Sequence, residues 1–185
     1  DTLGVLTTGA GKSLTYQLPS LLLPRPTLVI SPLIALMQDQ LDGLPPSLYP
    51  HTTLINSTLE LEELTERLRG IENGTYKLIY AAPERLRQQS FLRLLQRVGL
   101  SMVVVDEAHC VSVWGHDFRP DYMFIRRAIE TLKESGNTPT LLALTATATL
   151  EMQAEIAEQL GSTLQTINAP MFRPNLKMEV FRCKN

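Results

Sequence analysis

Along most of this chain, short runs of consecutive apolar residues alternate with longer stretches in which apolar positions recur every three or four residues. Runs without alternation, such as Met102-Val103-Val104-Val105, read as strands covered on both faces. The three-to-four spacing between them reads as helices with one buried side. Strands are predicted near Leu3–Leu6, Thr27–Ser31, Thr52–Ile55, Lys77–Ala81, Met102–Val105, Thr140–Leu144 and Leu164–Ile167. Helices fit between them, over Lys12–Leu22, Leu33–Leu41, Leu59–Arg69, Pro83–Arg97, Pro120–Glu134 and Leu150–Leu160. Ser31-Pro32 offers a cap and a first-turn proline, Ser57-Thr58-Leu59-Glu60 reads as a capping box, and Gly70 and Gly161 are expected to stop their helices. Such strand–helix–strand repetition predicts an α/β fold: a three-layer, doubly wound, mainly parallel sheet.

Composition narrows the class without adding a function. The chain has 185 residues, 44% hydrophobic and 19% charged, which excludes a disordered tail, a collagen-like repeat and a disulfide-stapled miniprotein. A long uncharged run, Ser135 to Leu150, is broken by Gly136, Asn137, Pro139 and five threonines, so no membrane partner is expected. With 17 Lys and Arg against 19 Asp and Glu, the net charge is −2, and bulk charge predicts no nucleic-acid affinity. Any such contact must be local. Cys110 and Cys183 have no CxxC spacing, which points to a reducing compartment and away from a zinc site.

Chemistry enters with Thr7-Thr8-Gly9-Ala10-Gly11-Lys12-Ser13, which follows the first predicted strand and opens the first helix. Two glycines let backbone N–H groups curl around a phosphate, and the helix N-terminus adds its dipole. Thr8, Gly9, Ala10, Gly11, Lys12 and Ser13 are the candidate nucleotide-binding residues. Lys12 would reach the β- and γ-phosphates, and Ser13 would ligate Mg²⁺. The strict pattern asks for glycine where this chain has Leu6.

Val103-Val104-Val105-Asp106-Glu107-Ala108-His109 places two carboxylates at the C-terminal end of a buried strand, the edge where ligands of open α/β sheets bind. Asp106 is placed to hold Mg²⁺, and Glu107 to orient and deprotonate an attacking water. His109 is either a rim histidine or a coupling residue.

With both motifs in hand, the chain resembles the first motor lobe of the RecQ family of DNA helicases. TTGAGKSLTYQLPSLL resembles motif I, VISPLIALMQDQ motif Ia and YAAPERL motif Ib. VVVDEAHCVSVWGHDFRPDY resembles motif II with the aromatic-rich loop that follows it, ALTATAT motif III, and FRPNL the exit toward a second lobe. The resemblance implies a RecA-like P-loop NTPase lobe over residues 1–170, with 171–185 leading to a second RecA-like lobe. It further implies ATP and Mg²⁺ as cofactors, translocation on single-stranded DNA in the 3′-to-5′ sense, unwinding of duplex DNA, and roles in repair and recombination. The expected setting is the bacterial cytoplasm at the nucleoid, or the nucleus of a eukaryote. The family's adenine-reading glutamine segment is expected upstream of Asp1, and an arginine finger in the second lobe.

Trp114, Phe118 and Arg119 follow the acidic pair closely. An aromatic with an arginine can stack on and clamp an unpaired base, worth about 1–3 kcal/mol per base. The other reading is core packing, against which the neighbours Gly115, His116, Asp117 and Pro120 argue for a loop. By resemblance this is the coupling element. Thr145 and Thr147 either link nucleotide state to strand grip or cap the next helix. Ser31 and Pro32, and Pro83 to Arg85, are placed to meet the phosphate backbone from helix N-termini. Arg85, Arg87, Arg93 and Arg97 share one predicted helix and, with Glu60, Glu62, Glu63 and Glu66, are read as solvated surface. An RNA-acting relative and a binding module with little turnover remain as alternatives.

Overall fold

The computed structural model describes residues 1–112, 119–169, 177 and 179–181. Trp114 and Phe118 lie outside the described residues. Seven strands form one sheet: β1 (Thr2–Val5), β2 (Thr27–Ile30), β3 (Thr52–Ile55), β4 (Leu78–Ala81), β5 (Met102–Val105), β6 (Thr140–Thr145) and β7 (Gln165–Asn168). Their order is β3-β4-β2-β5-β6-β1-β7, and every pairing is parallel, where the pattern predicted a mainly parallel sheet. Six helices connect them: α1 (Leu14–Leu22), α2 (Ile34–Asp42), α3 (Leu61–Glu72), α4 (Gln89–Val98), α5 (Met123–Glu134) and α6 (Leu150–Leu160).

The sheet separates two apolar cores. On one face Val29, Val104, Tyr80 and Leu144 meet Tyr16 of α1 and Met37 of α2. On the other, Ile30, Ile79, Val103 and Val105 meet Ile71 of α3, Phe91 and Leu95 of α4, Ile125 and Ile129 of α5 and Ile156 of α6. Spacing explains the fit: Ile125, Ala128, Ile129 and Leu132 form a single buried stripe along α5. β2, β4 and β5 are buried along their whole length, as their unbroken apolar runs require.

Helix ends depart from the local signals. α2 begins at Ile34 with Leu33 as its N-cap, so Ser31-Pro32 does not cap it. α3 has Glu60 at its N-cap, and the Thr58 N–H and hydroxyl both bond to Asn56 Oδ1 instead of forming a capping box. Gly70 lies inside α3, where a Cβ would come within 2.4 Å of the Tyr76 ring; close packing, not helix termination, is its role. Gly161 does end α6, at φ 63°. The predicted Pro83–Arg97 helix divides into a 3₁₀ turn, Pro83–Arg87, and α4, with extended Gln88 between.

Candidate active site

Because all strands run the same way, the loops after β1, β2, β5 and β6 open on one edge of the sheet. Val5 pairs with Thr145, and Ile30 with Val105, which brings the candidate residues after them onto that edge. The sequence order of the motifs is thereby converted into a spatial cluster.

The loop after β1 has the backbone its glycines imply. Gly9 and Gly11 take φ of 82° and 81°, a region that strains any residue with a Cβ. Nothing lies within 4 Å of where a Cβ on Gly9 would stand, so this side of the loop is open to a ligand. Ser13 immediately precedes α1 and makes no capping bond with its side chain; it interacts instead with the Tyr16 hydroxyl. Lys12 Nζ donates to the Leu6 carbonyl at 3.2 Å, folding the ammonium back over the loop.

Asp106 follows β5, held by its own N–H on the Ile30 carbonyl at 2.9 Å. Its side chain is only 7% exposed. Burial first, then the charge of adjacent Glu107, pushes its carboxyl up to about 6, against the opposing Glu107 N–H bond and the Lys12 charge. The Glu107 N–H reaches Asp106 Oδ1 at 3.0 Å. Glu107 itself sits at φ 48°, ψ 49°, the sole non-glycine with positive φ among the described residues. Such a left-handed conformation costs about 1–2 kcal/mol and turns the second carboxylate back toward the sheet edge.

His109 binds in two directions. Its Nδ1 is 3.3 Å from Glu107 Oε2 and 3.1 Å from Thr145 Oγ1. The Thr145 hydroxyl in turn donates to the Thr147 carbonyl at 3.0 Å. The helix-capping alternative for Thr145 and Thr147 is removed, since the α6 cap is the Thr149 hydroxyl, accepting from the Met152 N–H.

The strand-side candidates fare unevenly. Arg119 is exposed and its Nη1 donates to the Pro32 carbonyl at 2.7 Å, tying the segment after β5 to the segment after β2. Ser31 is 2% exposed, its hydroxyl enclosed without a hydrogen-bond partner, so it does not present itself to a phosphate as the helix-cap reading expected. Arg85 also departs from expectation. Far from a solvated face, it is 6% exposed, and its guanidinium donates to the Asn56 carbonyl and to Gln88 Oε1. Arg87 and Arg97 do remain at the surface, paired with Asp121 and Glu72.

Two groups escaped the sequence reading. The buried Tyr122 hydroxyl donates to the Asp106 carbonyl at 3.0 Å, and burial raises its pKa well above the usual phenol value. Tyr16 and Tyr80, which fall within the quoted motifs without an assigned role, bring their hydroxyls within 3.4 Å of each other.

The arrangement is a backbone-lined anion cradle facing a buried, destabilised carboxylate across one lysine. The profile of the DEAD/DEAH box helicase family matches residues 1–156. The chain belongs to that family. As a DEAD/DEAH box domain it is 44% identical to the ATP-dependent DNA helicase RecQ of Bacillus subtilis over 187 residues, all of this chain and 31% of that protein. It is 42% identical to the ATP-dependent DNA helicase Q-like 5 of Arabidopsis thaliana, over 97% of this chain and 20% of that protein. The RecQ resemblance carried by the motifs is thus borne out across nearly the whole domain, which spans about a third or less of these relatives. Solved structures agree in fold: the helicase domain of Pyrococcus furiosus Hef (TM-score 0.62, 24% identity, 91% of this chain and 35% of that one) and the DUF1998 helicase MrfA (TM-score 0.73, 19% identity, 92% and 28%). No helix among the described residues is long and apolar enough to cross a membrane.

Proposed function

We propose that this domain is the first motor lobe of a RecQ-type ATP-dependent DNA helicase, which couples ATP hydrolysis to 3′-to-5′ movement on single-stranded DNA. The observation that carries the reading is the convergence of the Lys12 loop and the buried Asp106 carboxylate on one sheet edge. The site fits a Mg²⁺–nucleotide: Asp106 is costly to keep charged without a cation, and the open side of Gly9 admits phosphate oxygens. A bound Mg²⁺ would supply neutralisation of the phosphate charge.

This chain's own residues do the rest. Lys12 exchanges the Leu6 carbonyl for phosphate oxygens, and the loop N–H groups from Thr8 to Ser13 bind the remainder. Ser13 and Asp106 would hold the metal. Glu107, oriented by His109, positions the water and takes its proton. Thr145 and Thr147 report that state to neighbouring loops through His109. Trp114, Phe118, Arg119 and Pro32 meet the DNA strand, and residues 171–185 lead toward a second RecA-like lobe, which the greater length of the relatives supports. Alone, the lobe binds nucleotide and strand with little turnover.

The test is strand separation by the full-length protein on a DNA duplex with a 3′ single-stranded tail, with ATP and Mg²⁺. Separation that Lys12→Ala abolishes supports the reading; separation confined to RNA duplexes overturns it in favour of an RNA-acting relative.

A further inference from the structure

Among the described residues, α1, α2 and the segment after α2 (Leu44, Leu48) cover the face of the sheet that carries Tyr80, and a polar cluster joins the two helices to β4 inside an otherwise apolar core. Tyr16 is fully buried, Tyr80 is 1% exposed and Gln17 is 7% exposed. The two tyrosine rings meet edge to face with centroids 6.3 Å apart, and their hydroxyls lie 3.4 Å apart. Gln17 Nε2 donates to the Tyr80 hydroxyl and to Gln40 Oε1, both at 3.3 Å. One amide on α1 therefore holds β4 and α2 together.

Stability alone does not call for this cluster. Replacing buried, mutually bonded polar groups by apolar groups of the same shape is close to neutral. Its location is more informative. α1 starts at the phosphate loop, β4 leads within two residues to the Pro83 turn, and α2 follows Pro32, whose carbonyl Arg119 holds. The three elements that meet at Gln17 are the one that senses nucleotide, one that follows the strand-facing Pro32 segment, and one that enters the Pro83 turn.

We infer that Gln17, through Tyr80 and Gln40, is a positioning residue that transmits the setting of the phosphate-loop helix to the strand-binding segment after β2 and to the turn after β4. The inference rests on the motor reading above. Movement of Lys12 from the Leu6 carbonyl to a nucleotide shifts the start of α1, and the buried amide obliges β4 and α2 to follow. Hydrolysis chemistry does not pass through the cluster, so its loss uncouples the two sites without disabling either.

The experiment uses the full-length protein with Gln40→Met, which removes the acceptor at similar length, Gln40→Glu, which keeps an acceptor oxygen, and Tyr80→Phe. ATP hydrolysis is measured with and without single-stranded DNA, together with KM for ATP, DNA affinity without nucleotide, and melting temperature. Gln40→Met and Tyr80→Phe are expected to keep DNA-free hydrolysis and KM and to lower the melting temperature by a few degrees, because each strands a buried polar partner, while stimulation by DNA falls about fivefold or more. Gln40→Glu is expected to restore it. Wild-type stimulation in both disrupting variants overturns the inference, as does a parallel fall of basal rate and stimulation, the mark of a structural role. If Gln40→Met fails to fold, Tyr80→Phe decides alone. Wild-type protein with no DNA response removes the motor reading, and this inference with it.

Discussion

His109 Nδ1 stands 3.1 Å from the Thr145 hydroxyl, joining the turn after β5 to the end of β6. The same nitrogen lies 3.3 Å from Glu107, so the orientation of that carboxylate depends on a threonine 38 residues further along the chain. Thr145→Val keeps the shape and removes the bond. Outer partners that orient a site residue are worth about 10- to 100-fold, so kcat for ATP hydrolysis is expected to fall within that range with KM little changed. Steady-state kinetics check it.

Glu107→Gln separates binding from chemistry. The substitution keeps the side-chain shape and removes the proton acceptor, so turnover should fall by about 10²–10⁴ while nucleotide still binds. Equilibrium titration with a fluorescent nucleotide beside an ATPase assay makes the comparison. Equal losses of binding and turnover would assign Glu107 a structural role.

Asp106 makes the unliganded lobe less stable as pH rises. Its carboxyl titrates at about 6 folded, against an ordinary 3.8 unfolded. Below pH 3.8 both states are protonated and the group contributes nothing. Between 3.8 and 6 the unfolded chain ionises first, and above 6 the full penalty applies, about 3 kcal/mol. Asp106→Asn is therefore expected to raise the melting temperature of the ligand-free protein at pH 7.5 and to have little effect near pH 4. It should also remove the Mg²⁺-dependent part of nucleotide binding. Calorimetry at the two pH values decides, and a destabilised variant at pH 7.5 would contradict the assignment.

Gly70 and Tyr76 form a second testable pair, one of packing. A Cβ at Gly70 would stand 2.4 Å from Tyr76 Cε2, so Gly70→Ala should destabilise by about 1 kcal/mol, a steric cost of about 1–3 outweighing the helix-propensity gain of alanine. In a Tyr76→Ala background the clash is gone, and the same substitution should stabilise. Denaturant unfolding of the four proteins gives the cycle, and an unchanged sign would refute the contact.

The sheet and the two main motifs were legible because their signals are local. Met102–Val105 is an unbroken apolar run, and Gly9, Gly11 and Lys12 fall within four consecutive positions. What failed was what tertiary contacts decide. The Ser31 cap lost to a buried environment and the Ser57–Glu60 capping box to Asn56, which binds Thr58, and the arginine stripe dissolved once Arg85 turned inward to the Asn56 carbonyl. The Tyr16–Tyr80 pair spans 64 residues, and no spacing in the sequence announces it. The link from Arg119 to Pro32, 87 residues apart, is equally silent.

The central claim, that nucleotide chemistry at Lys12, Asp106 and Glu107 is driven by a DNA strand, is tested most directly by ATP hydrolysis of the full-length protein with and without single-stranded DNA. The account predicts slow hydrolysis alone, strong stimulation by the strand, and loss of both with Glu107→Gln. A rate unchanged by single-stranded DNA, or raised only by RNA, would contradict it.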